Sequence, residues 1–445
     1  MDPSQLSWLS AADAARAIGD GAVSSEELVA ACLARVREGD SKVGAWAFLD
    51  PEHALGQARA LDQHRREGGA LGPLHGVPVG IKDIMDTADM PTECGTVLHA
   101  GRTPAEDATV VTLLRAAGAV IMGKTVTTEC ATYTPGKTRN PHNPEHTPGG
   151  SSSGSAAAVA AGMVPLALGS QTNGSVIRPA SFCGVYGFKP THGLVSRHGI
   201  LKLSRALDHV GVFARTLEDV ALVCEPIVAG DQRDPDTHPR ARIPFREIAA
   251  QEPPFPPLIA FVKTPLWERV DEETREAFEE LRQALEGCVV EVDLPASTLT
   301  ALDLHRTIME ADMAASLSAE YDHGRDRLSD ALRSQLERGR MVTAFDYQVA
   351  LARIPLLNEG FVEIFERCDA ILTPAAAGTA PTGLGSTGDP SFCTLWTLCG
   401  MPAITLPLMN GSNGLPLGVQ LVGRRNEDAR LLRTARWLAA QVESA

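Results

Sequence analysis

Serine and lysine are the residue types in this sequence whose positions could support covalent catalysis. Residues 149–190 read GGSSSGSAAAVAAGMVPLALGSQTNGSVIRPASFCGVYGFKP, with serines crowded at 151–153 and a further serine at 175. A serine hydroxyl is a weak nucleophile at neutral pH and needs a base within hydrogen-bonding reach. Lys82 lies upstream in the apolar run GVPVGIKDI, where burial would lower its pKa and let it act as that base. These residues predict a serine hydrolase with a lysine base.

Each of these residues also has a purely structural interpretation. Lys82 could form an ion pair with Asp83 or Asp86, and Ser151 could be only the N-cap of a following helix. Ser175 could belong to an ordinary polar β-turn. The same turn, QTNGSV, contains small residues that let several backbone N–H groups point together, as an oxyanion hole requires. From residue types alone, both interpretations stay open.

The letters GSSSG at 150–154 match the nucleophile elbow of α/β-hydrolases, which gives an alternative esterase with Ser152 as nucleophile. Such an elbow follows a strand directly, whereas the lead-in NPHNPEHTP is too rich in proline to be a central strand. Three histidines, His192, His198 and His209, lie downstream and keep this alternative open by mechanism.

Two further motif matches have a structural interpretation. Residues 118–125 fit the pattern GxxxxGK[ST], but a helical segment precedes them and the four intervening residues are apolar, so they predict a helix end followed by a core strand. His142 and His146 lie four apart in a proline-broken loop, where helical spacing has no meaning. The sequence therefore predicts no metal site and no cofactor.

Composition limits the partners of the chain. Its 445 residues are 44% apolar and carry a formal net charge of −15, which argues against nucleic acid or an anionic membrane surface as partner. Nine scattered cysteines, never spaced as CxxC, favour a reducing compartment. Neither a secretory signal nor an apolar run of about 18 residues is visible. We therefore expect a cytoplasmic protein that acts on a small molecule, and a homodimer is compatible with the sequence.

Strand and helix patterns alternate along the chain, which predicts the α/β class. We expect a single α/β/α sandwich in which helices cover both faces of a large, twisted, mixed β-sheet. The pattern predicts one domain over residues 1–445, with a core at about 70–220. Residues 230–257, rich in Pro, Asp and Arg, predict a surface excursion, and residues 258–445 are expected to complete the sheet.

The order of several motifs resembles the amidase signature family. Its glycine- and serine-rich core corresponds here to GGSS at 149–152, GS at 174–175, RPA at 178–180 and GFKPT at 187–191, and GVPVGIKD matches its lysine motif. The separation of the two serines is the family's usual spacing. The resemblance extends from about residue 20 through LPLGVQLVG near the C-terminus, and it implies the sandwich fold described above.

The resemblance also implies a role for each matching residue. Ser175 would be the acyl-forming nucleophile. Ser151, expected on a non-proline cis peptide bond, would relay protons between Ser175 and the ultimate base, Lys82. The oxyanion hole would be formed by the backbone amides of Thr172, Asn173, Gly174 and Ser175.

Departures from the common family pattern bear on the substrate. Many members have GTDTGGSIRxPA, whereas this chain has GSQTNGSVIRPA, so that Gln171 replaces an aspartate, Asn173 replaces a glycine and the arginine moves by one position to Arg178. These features resemble the malonamidase-like branch, in which the arginine matching Arg178 is associated with a substrate carboxylate. The alternative is that Arg178 anchors the turn. Asn173 would narrow the site or donate a hydrogen bond to a carbonyl or carbamate oxygen.

We therefore expect a cofactor-free amidohydrolase that cleaves the C–N bond of small amides or carbamates (urethanes), with biuret-type ureas open and esters as side substrates. The main alternative is the glutaminase (A) subunit of a tRNA-dependent amidotransferase, which shares the fold and works only with a partner subunit. The altered turn and the malonamidase-like flanks favour the first expectation.

Overall fold

The computed structural model describes residues 3–444, which fold around one mixed β-sheet of eleven strands flanked by helices. The predicted α/β class is confirmed. The strands are β1 (Trp46–Leu49), β2 (Pro78–Lys82), β3 (Val120–Thr125), β4 (Leu166–Gln171), β5 (Tyr186–Lys189), β6 (His209–Ala214), β7 (Ile259–Phe261), β8 (Val289–Glu291), β9 (Ala370–Pro374), β10 (Ala403–Asn410) and β11 (Pro416–Val422).

The helices lie before, between and after these strands. They are α1 (Pro3–Leu6), α2 (Ala11–Gly19), α3 (Ser25–Val43), α4 (Pro51–Arg66), α5 (Thr109–Ala116), α6 (Ser153–Ala160), α7 (Ile177–Cys183), α8 (Leu217–Ile227), α9 (Phe245–Ala250), α10 (Glu272–Ala284), α11 (Ala301–Ser316), α12 (Ser318–Gly324), α13 (Asp330–Met341), α14 (Ala344–Gly360), α15 (Val362–Arg367), α16 (Ser391–Leu398) and α17 (Asp428–Ser444). Between residues 3 and 444, no helix has both the length and the apolar character needed to cross a membrane.

The order of strands in the sheet is β1-β3-β2-β4-β6-β5-β10-β11-β9-β7-β8. Strands β3, β2 and β4 run parallel to one another, as do β9, β7 and β8, and the strands between these two groups pair antiparallel. The C-terminal strands join the rest of the sheet through the β5–β10 pair. Because the carboxyl ends of parallel strands meet at one edge, side chains at the ends of β2 and β4 lie close together.

Small residues let helix α6 pack closely on this part of the sheet. Its sequence, SGSAAAVA, has seven buried residues. Ser155 donates a hydrogen bond of 2.8 Å to the Leu168 carbonyl in β4, and its hydroxyl lies 2.7 Å from that of Thr125 in β3. A Cβ at Gly169 would lie only 2.6 Å from the Ser152 hydroxyl, so glycine is needed there. The start of α6 is therefore fixed against the ends of the strands that carry the candidate site.

The pattern GxxxxGK[ST] at 118–125 has the expected structural role. Gly118 follows the end of α5 with a φ of +88°, and strand β3 begins two residues later. The interpretation as a helix end and a core strand is confirmed. The predicted surface excursion at 230–257 lies only partly on the surface, because it contains α9, whose Phe245 is buried, and because its Asp234 forms a buried ion pair with Arg197.

The close packing of α6 predicts that Gly154→Ala destabilises the protein. A Cβ at Gly154 would overlap the Ala45 carbonyl and the backbone of Val126, so we expect a loss of about 1–3 kcal/mol in the free energy of unfolding. Gly56→Ala in exposed α4 is the matched control, since its Cβ would meet open space and alanine favours a helix by about 0.5–1 kcal/mol. Urea denaturation followed by tryptophan fluorescence measures both changes. Equal stability of Gly154→Ala and the wild type would contradict the close packing.

Candidate active site

Lys82, the residue that the sequence predicts as the base, lies buried at the carboxyl end of strand β2. Its side chain is fully buried, and its Nζ donates hydrogen bonds of 2.7 Å to the Ser151 hydroxyl and 2.9 Å to the Ser170 hydroxyl. Ser170 lies near the carboxyl end of the parallel neighbour β4. Among residues 3–444, no carboxylate lies within ion-pairing distance of Lys82. The ammonium group therefore has only hydroxyl partners.

The alternative ion pairs of Lys82 with Asp83 or Asp86 do not occur, so that interpretation is wrong. Asp83 lies 3.6 Å from a second buried lysine, Lys124, and Asp86 pairs with Arg102 at 2.7 Å. Both carboxylates lie beyond the end of β2, where each has a different cation as its partner.

The surroundings of the two buried lysines differ in their charge. Burial lowers the pKa of Lys82 well below its ordinary value, and the more distant Asp208 opposes this shift only in part. Burial lowers the pKa of Lys124 as well, with Asp83 opposing it. The Lys124 ammonium also donates to four oxygen atoms, those of Met85, Thr87, Pro91 and Thr92. Lys82 is therefore the lysine whose neutral form the site favours, whereas Lys124 is enclosed as a cation.

The Gly150–Ser151 peptide bond is cis, as the family resemblance implies. The Gly150 carbonyl accepts a hydrogen bond of 2.7 Å from Arg178 Nη2, and the Ser151 carbonyl accepts one of 3.2 Å from the Thr128 amide. Both carbonyls next to the Ser151 side chain are thus fixed. Helix α6 begins only at Ser153, so the interpretation of Ser151 as merely its N-cap is wrong.

Ser152 does not have the geometry of a nucleophile elbow. No strand leads directly into it, and its side chain is fully buried. The hydroxyl donates a hydrogen bond of 3.1 Å to the Ser170 carbonyl and accepts one of 3.2 Å from the Ser170 amide. Both bonds tie it to the backbone of β4. Of the downstream histidines, His209 contacts the Leu207 carbonyl and His192 contacts the Arg205 carbonyl. These contacts do not support a serine–histidine pair at Ser152.

In the turn that follows β4, side chains from distant helices hold two backbone carbonyl groups by hydrogen bonds. The Thr172 carbonyl accepts a hydrogen bond of 2.9 Å from His305 Nε2, and the Asn173 carbonyl accepts one of 2.6 Å from the Thr397 hydroxyl. Burial lowers the pKa of His305 to about 4, so its ring is neutral at physiological pH. Within residues 3–444, the four amides predicted for the oxyanion hole, those of Thr172, Asn173, Gly174 and Ser175, donate to no protein acceptor.

Gln171 fixes the other end of this turn. Its Oε1 accepts hydrogen bonds from the amides of Val176 and Ile177 at 2.8 and 3.0 Å, and its Nε2 donates to the Thr397 hydroxyl at 2.9 Å. The side chain thus serves the first amides of α7, which a helix leaves without intrahelical partners. The Asp-to-Gln change at this position is visible in the sequence, but these contacts are not.

Ser175 lies in this turn with 9% of its surface exposed, more than either Lys82 or Ser151. Its hydroxyl forms no hydrogen bond to another described residue. Arg178, one helical turn later, is almost fully buried and also donates to the Thr387 hydroxyl at 3.1 Å. No carboxylate pairs with it in the described chain, and its Nε and Nη1 have no partner. Arg178 therefore connects the Ser175 turn to the Gly150 carbonyl and keeps two unused donors.

Asn173 lines the cleft in front of the turn, but its side chain is held by protein groups. Its Nδ2 donates a hydrogen bond of 3.2 Å to the Tyr133 hydroxyl, and its Oδ1 accepts one of 2.6 Å from the Thr394 hydroxyl. The cleft has a volume of about 640 Å³ and is lined by helices α11, α13 and α16. Its polar lining includes His305, Glu310, Gln335 and Arg338.

Asp208 and Ser170 are further site residues that the sequence did not indicate. Asp208 accepts a hydrogen bond of 2.6 Å from the Thr172 side chain and two from the amides of Leu203 and Ser204, each at 2.9 Å. It borders a second, smaller cavity of about 190 Å³ on the other side of the turn, together with Ser170 and Thr172. The parallel pairing of β2 with β4 is the signal that would have found Ser170.

Known proteins resemble this chain along nearly its whole length. The family model described as Amidase matches residues 27–432. The glutamyl-tRNA(Gln) amidotransferase A subunit of Chloroflexus aggregans is 35% identical over 96% of this chain and 95% of its own. The peptide amidase of Stenotrophomonas maltophilia superposes with a TM-score of 0.87 and 29% identity, covering 98% of this chain and 97% of its own. A structure described as a vestigial protein complex that reveals the evolutionary origins of an s-triazine catabolic enzyme superposes with a TM-score of 0.90 and 26% sequence identity. The match covers 98% of both chains.

The contrast between the two lysines predicts opposite effects of removing them. Lys124→Met would leave buried Asp83 without its cation, so we expect a loss of about 3–5 kcal/mol in the free energy of unfolding. For Lys82, the folded-state pKa lies below the unfolded value of 10.5, so the wild type loses stability as pH falls below that value. Lys82→Met removes this loss.

The stability of Lys82→Met relative to the wild type should therefore be higher at neutral pH than near pH 10.5. Urea denaturation at the two pH values measures the difference, with Lys124→Met as the control for a structural lysine. A relative stability of Lys82→Met that falls from alkaline to neutral pH would show that Lys82 is held as a cation in the folded protein.

Proposed function

The chain belongs to the amidase signature family of hydrolases that act on carbon–nitrogen bonds, and we propose that it cleaves an amide through an acyl-enzyme on Ser175. In this proposal Ser151 and Lys82 carry the proton. The observation that supports it most directly is the buried 2.7 Å hydrogen bond from Lys82 to Ser151, in a setting without a carboxylate. A lysine with a lowered pKa is able to act as a general base near neutral pH.

In the acylation half-reaction, the Ser175 oxygen attacks the amide carbon and its proton passes through the Ser151 hydroxyl to neutral Lys82. The C–O bond formed produces a tetrahedral intermediate with a negative oxygen. As this intermediate collapses, the C–N bond breaks and the proton returns from Lys82 through Ser151 to the leaving nitrogen. The amine departs, and the acyl group stays on Ser175 as an ester.

In the deacylation half-reaction, a water molecule takes the place of the amine. One of its protons passes to Lys82 by the same route while its oxygen attacks the ester carbon. The C–O bond to Ser175 then breaks, the proton returns from Lys82 through Ser151 to Ser175, and the carboxylic acid leaves and ionises in solvent. The unpaired amides of Thr172, Asn173, Gly174 and Ser175 are suited to stabilise the negative oxygen in both halves. The carbonyls of this turn are already engaged by His305 and Thr397, which would keep the amides aligned without substrate.

The known relatives favour the amide of glutamine as substrate, whereas the turn sequence led us to expect a small amide or carbamate. The amidotransferase A subunit of Chloroflexus aggregans matches nearly the full length of this chain. This similarity supports a glutaminase (A) subunit of a tRNA-dependent amidotransferase more strongly than a stand-alone enzyme for small amides or carbamates. In that role the chain would take the amide of glutamine and work with a partner subunit.

The site itself keeps a small amide or carbamate as the second candidate. Asn173 places a side chain between the nucleophile turn and the cleft, and Tyr133 and Thr394 hold it there. A fixed side chain at this position narrows the approach to Ser175, which suits a compact acyl group. The expected hydrogen bond from Asn173 to a substrate carbonyl would have to use the one Nδ2 hydrogen that Tyr133 leaves free.

Ser175→Ala is expected to abolish acyl-enzyme formation without unfolding the protein. Lys82→Ala should lower kcat about 10²–10⁴-fold, because it removes the general base. Mass spectrometry of the protein quenched with substrate, followed by peptide mapping, locates the acyl group. Ser152→Ala is the control for the alternative nucleophile. An acyl group retained in Ser175→Ala and lost in Ser152→Ala would overturn the mechanism.

A substrate panel separates the two candidate functions. We expect purified chain alone to release ammonia from L-glutamine poorly if it is an amidotransferase component, and co-purification from its host should then recover a second subunit that raises the rate. A stand-alone amidohydrolase should instead turn over an anilide, malonamate, biuret or an aryl carbamate at full rate without a partner. Ammonia or amine release provides the measurement.

The role of Arg178 is tested on the same panel. Because Arg178 holds the Gly150 carbonyl, Arg178→Met should lower kcat/KM about 10²-fold for neutral and anionic amides alike. Thr387→Val is the matched control, since it removes the other hydrogen bond of Arg178 and leaves Gly150 untouched. A loss confined to malonamate would instead indicate that Arg178 binds a substrate carboxylate.

A further inference from the structure

Helix α14 (Ala344–Gly360) exposes an apolar face that no described part of the chain covers. Phe345 is 75% exposed, Val349 40% and Leu356 49%, and Ala352 between them is also exposed. The opposite face packs on the protein through Ala350 and Leu357. Exposed apolar residues are ordinary when scattered, but a continuous row of them on one helix indicates an interaction surface.

The spacing of this row is that of a coiled-coil seam. Phe345, Val349, Ala352 and Leu356 follow one another at intervals of four, three and four residues, which is the a and d pattern of a heptad repeat. Glu359 occupies the next seam position and ends it. The large side chains lie at the two ends and the small ones in the middle, so the row is complementary to a reversed copy of itself.

Two unpaired charges flank the seam on the same side. Asp346 follows Phe345 and Arg353 follows Ala352, so both occupy the e position of the heptad. Neither forms an ion pair with another residue in the range 3–444. Asp346 accepts only from Thr343, the N-cap of its own helix. Charges at e and g positions decide which helices pair and in which direction.

We propose that α14 is the two-fold interface of a homodimer, in which the helices of two copies pack antiparallel about an axis at the level of Ala350. Phe345 of each copy then faces Leu356 of the other, and Val349 faces Ala352. A two-fold axis perpendicular to the helices keeps flanking residues on the same side, so Asp346 of each copy meets Arg353 of the other. The proposal does not depend on the chemistry at Ser175.

The charges favour a second copy of this chain over an unrelated partner. Both signs needed for pairing lie on one helix at positions related by the same axis that matches the apolar layers. An isologous interface requires this kind of self-complementarity, because the same patch is used by both copies. A heterologous partner would require no such relation between residues 346 and 353.

Sedimentation velocity over a range of concentrations tests the interface with the full chain. The wild type should form dimers, and Val349→Asp should raise the dissociation constant roughly tenfold or more because it places a charge in the seam. Val349 is exposed in the monomer, so the far-UV circular dichroism of the folded variant should match that of the wild type. Phe255→Asp is the control, since Phe255 is 81% exposed and lies outside α14. A monomeric wild type, or a Val349→Asp dimer as tight as the wild type, overturns the proposal.

Charge reversal distinguishes this interface from any other dimer. Asp346→Arg and Arg353→Asp should each weaken the homodimer, since each sets like charges opposite one another, and the double reversal should restore it. A mixture of the two single variants should form a heterodimer with both pairs matched. Single reversals that leave the dimer unchanged, or a mixture that stays monomeric, overturn the antiparallel pairing. A chain that associates only after a different protein is added also overturns it.

Discussion

The candidate site depends on a lysine held out of water without a carboxylate to neutralise it. Burial without a counter-charge destabilises the ammonium ion, so the lysine loses its proton more readily. Two hydroxyl groups, those of Ser151 and Ser170, remain as partners in either protonation state, because a hydroxyl both accepts and donates. The neighbouring Lys124 demonstrates the other solution, in which four oxygen atoms and the Asp83 carboxylate enclose a cation. The same residue type thus lies in a setting that favours its neutral form in β2 and in one that encloses a cation in β3.

The sheet makes this arrangement possible. Parallel pairing of β2 with β4 brings their carboxyl ends to one edge, so Lys82, Ser170 and the turn after Gln171 converge although they lie far apart in sequence. Helix α6 approaches the same edge closely because glycine at 154 and 169 leaves room for neighbouring backbone and for Ser152. The position of Ser151 follows from that close approach and from the contacts on its two flanking carbonyls.

The sequence supported the α/β class, the buried strand at Lys82 and the small-residue helix, because periodicity and composition are local properties. It also supported Lys82 and Ser151 as a pair, through resemblance to a family. It did not reveal that Asp83 pairs with Lys124 and not with Lys82, since residue types alone do not specify which distant cation a carboxylate meets. The contacts of Gln171, Asp208 and Asn173 with distant segments were equally out of reach, because they depend on how parts of the chain more than 30 residues apart pack together.

The cleft beside the Ser175 turn is lined mostly by the later part of the chain. Tyr133 and Asn173 are its lining residues from before residue 191, whereas helices α11, α13 and α16, which form most of its wall, are encoded after residue 300. The later segment also reaches the turn directly, through the contacts of His305 with the Thr172 carbonyl and of Thr397 with the Asn173 carbonyl. In evolutionary terms, mutations in the later segment that spare His305 and Thr397 can reshape the cleft without moving the turn that carries Ser175. Such a division allows one ancestral chemistry to be inherited by enzymes that share no substrate.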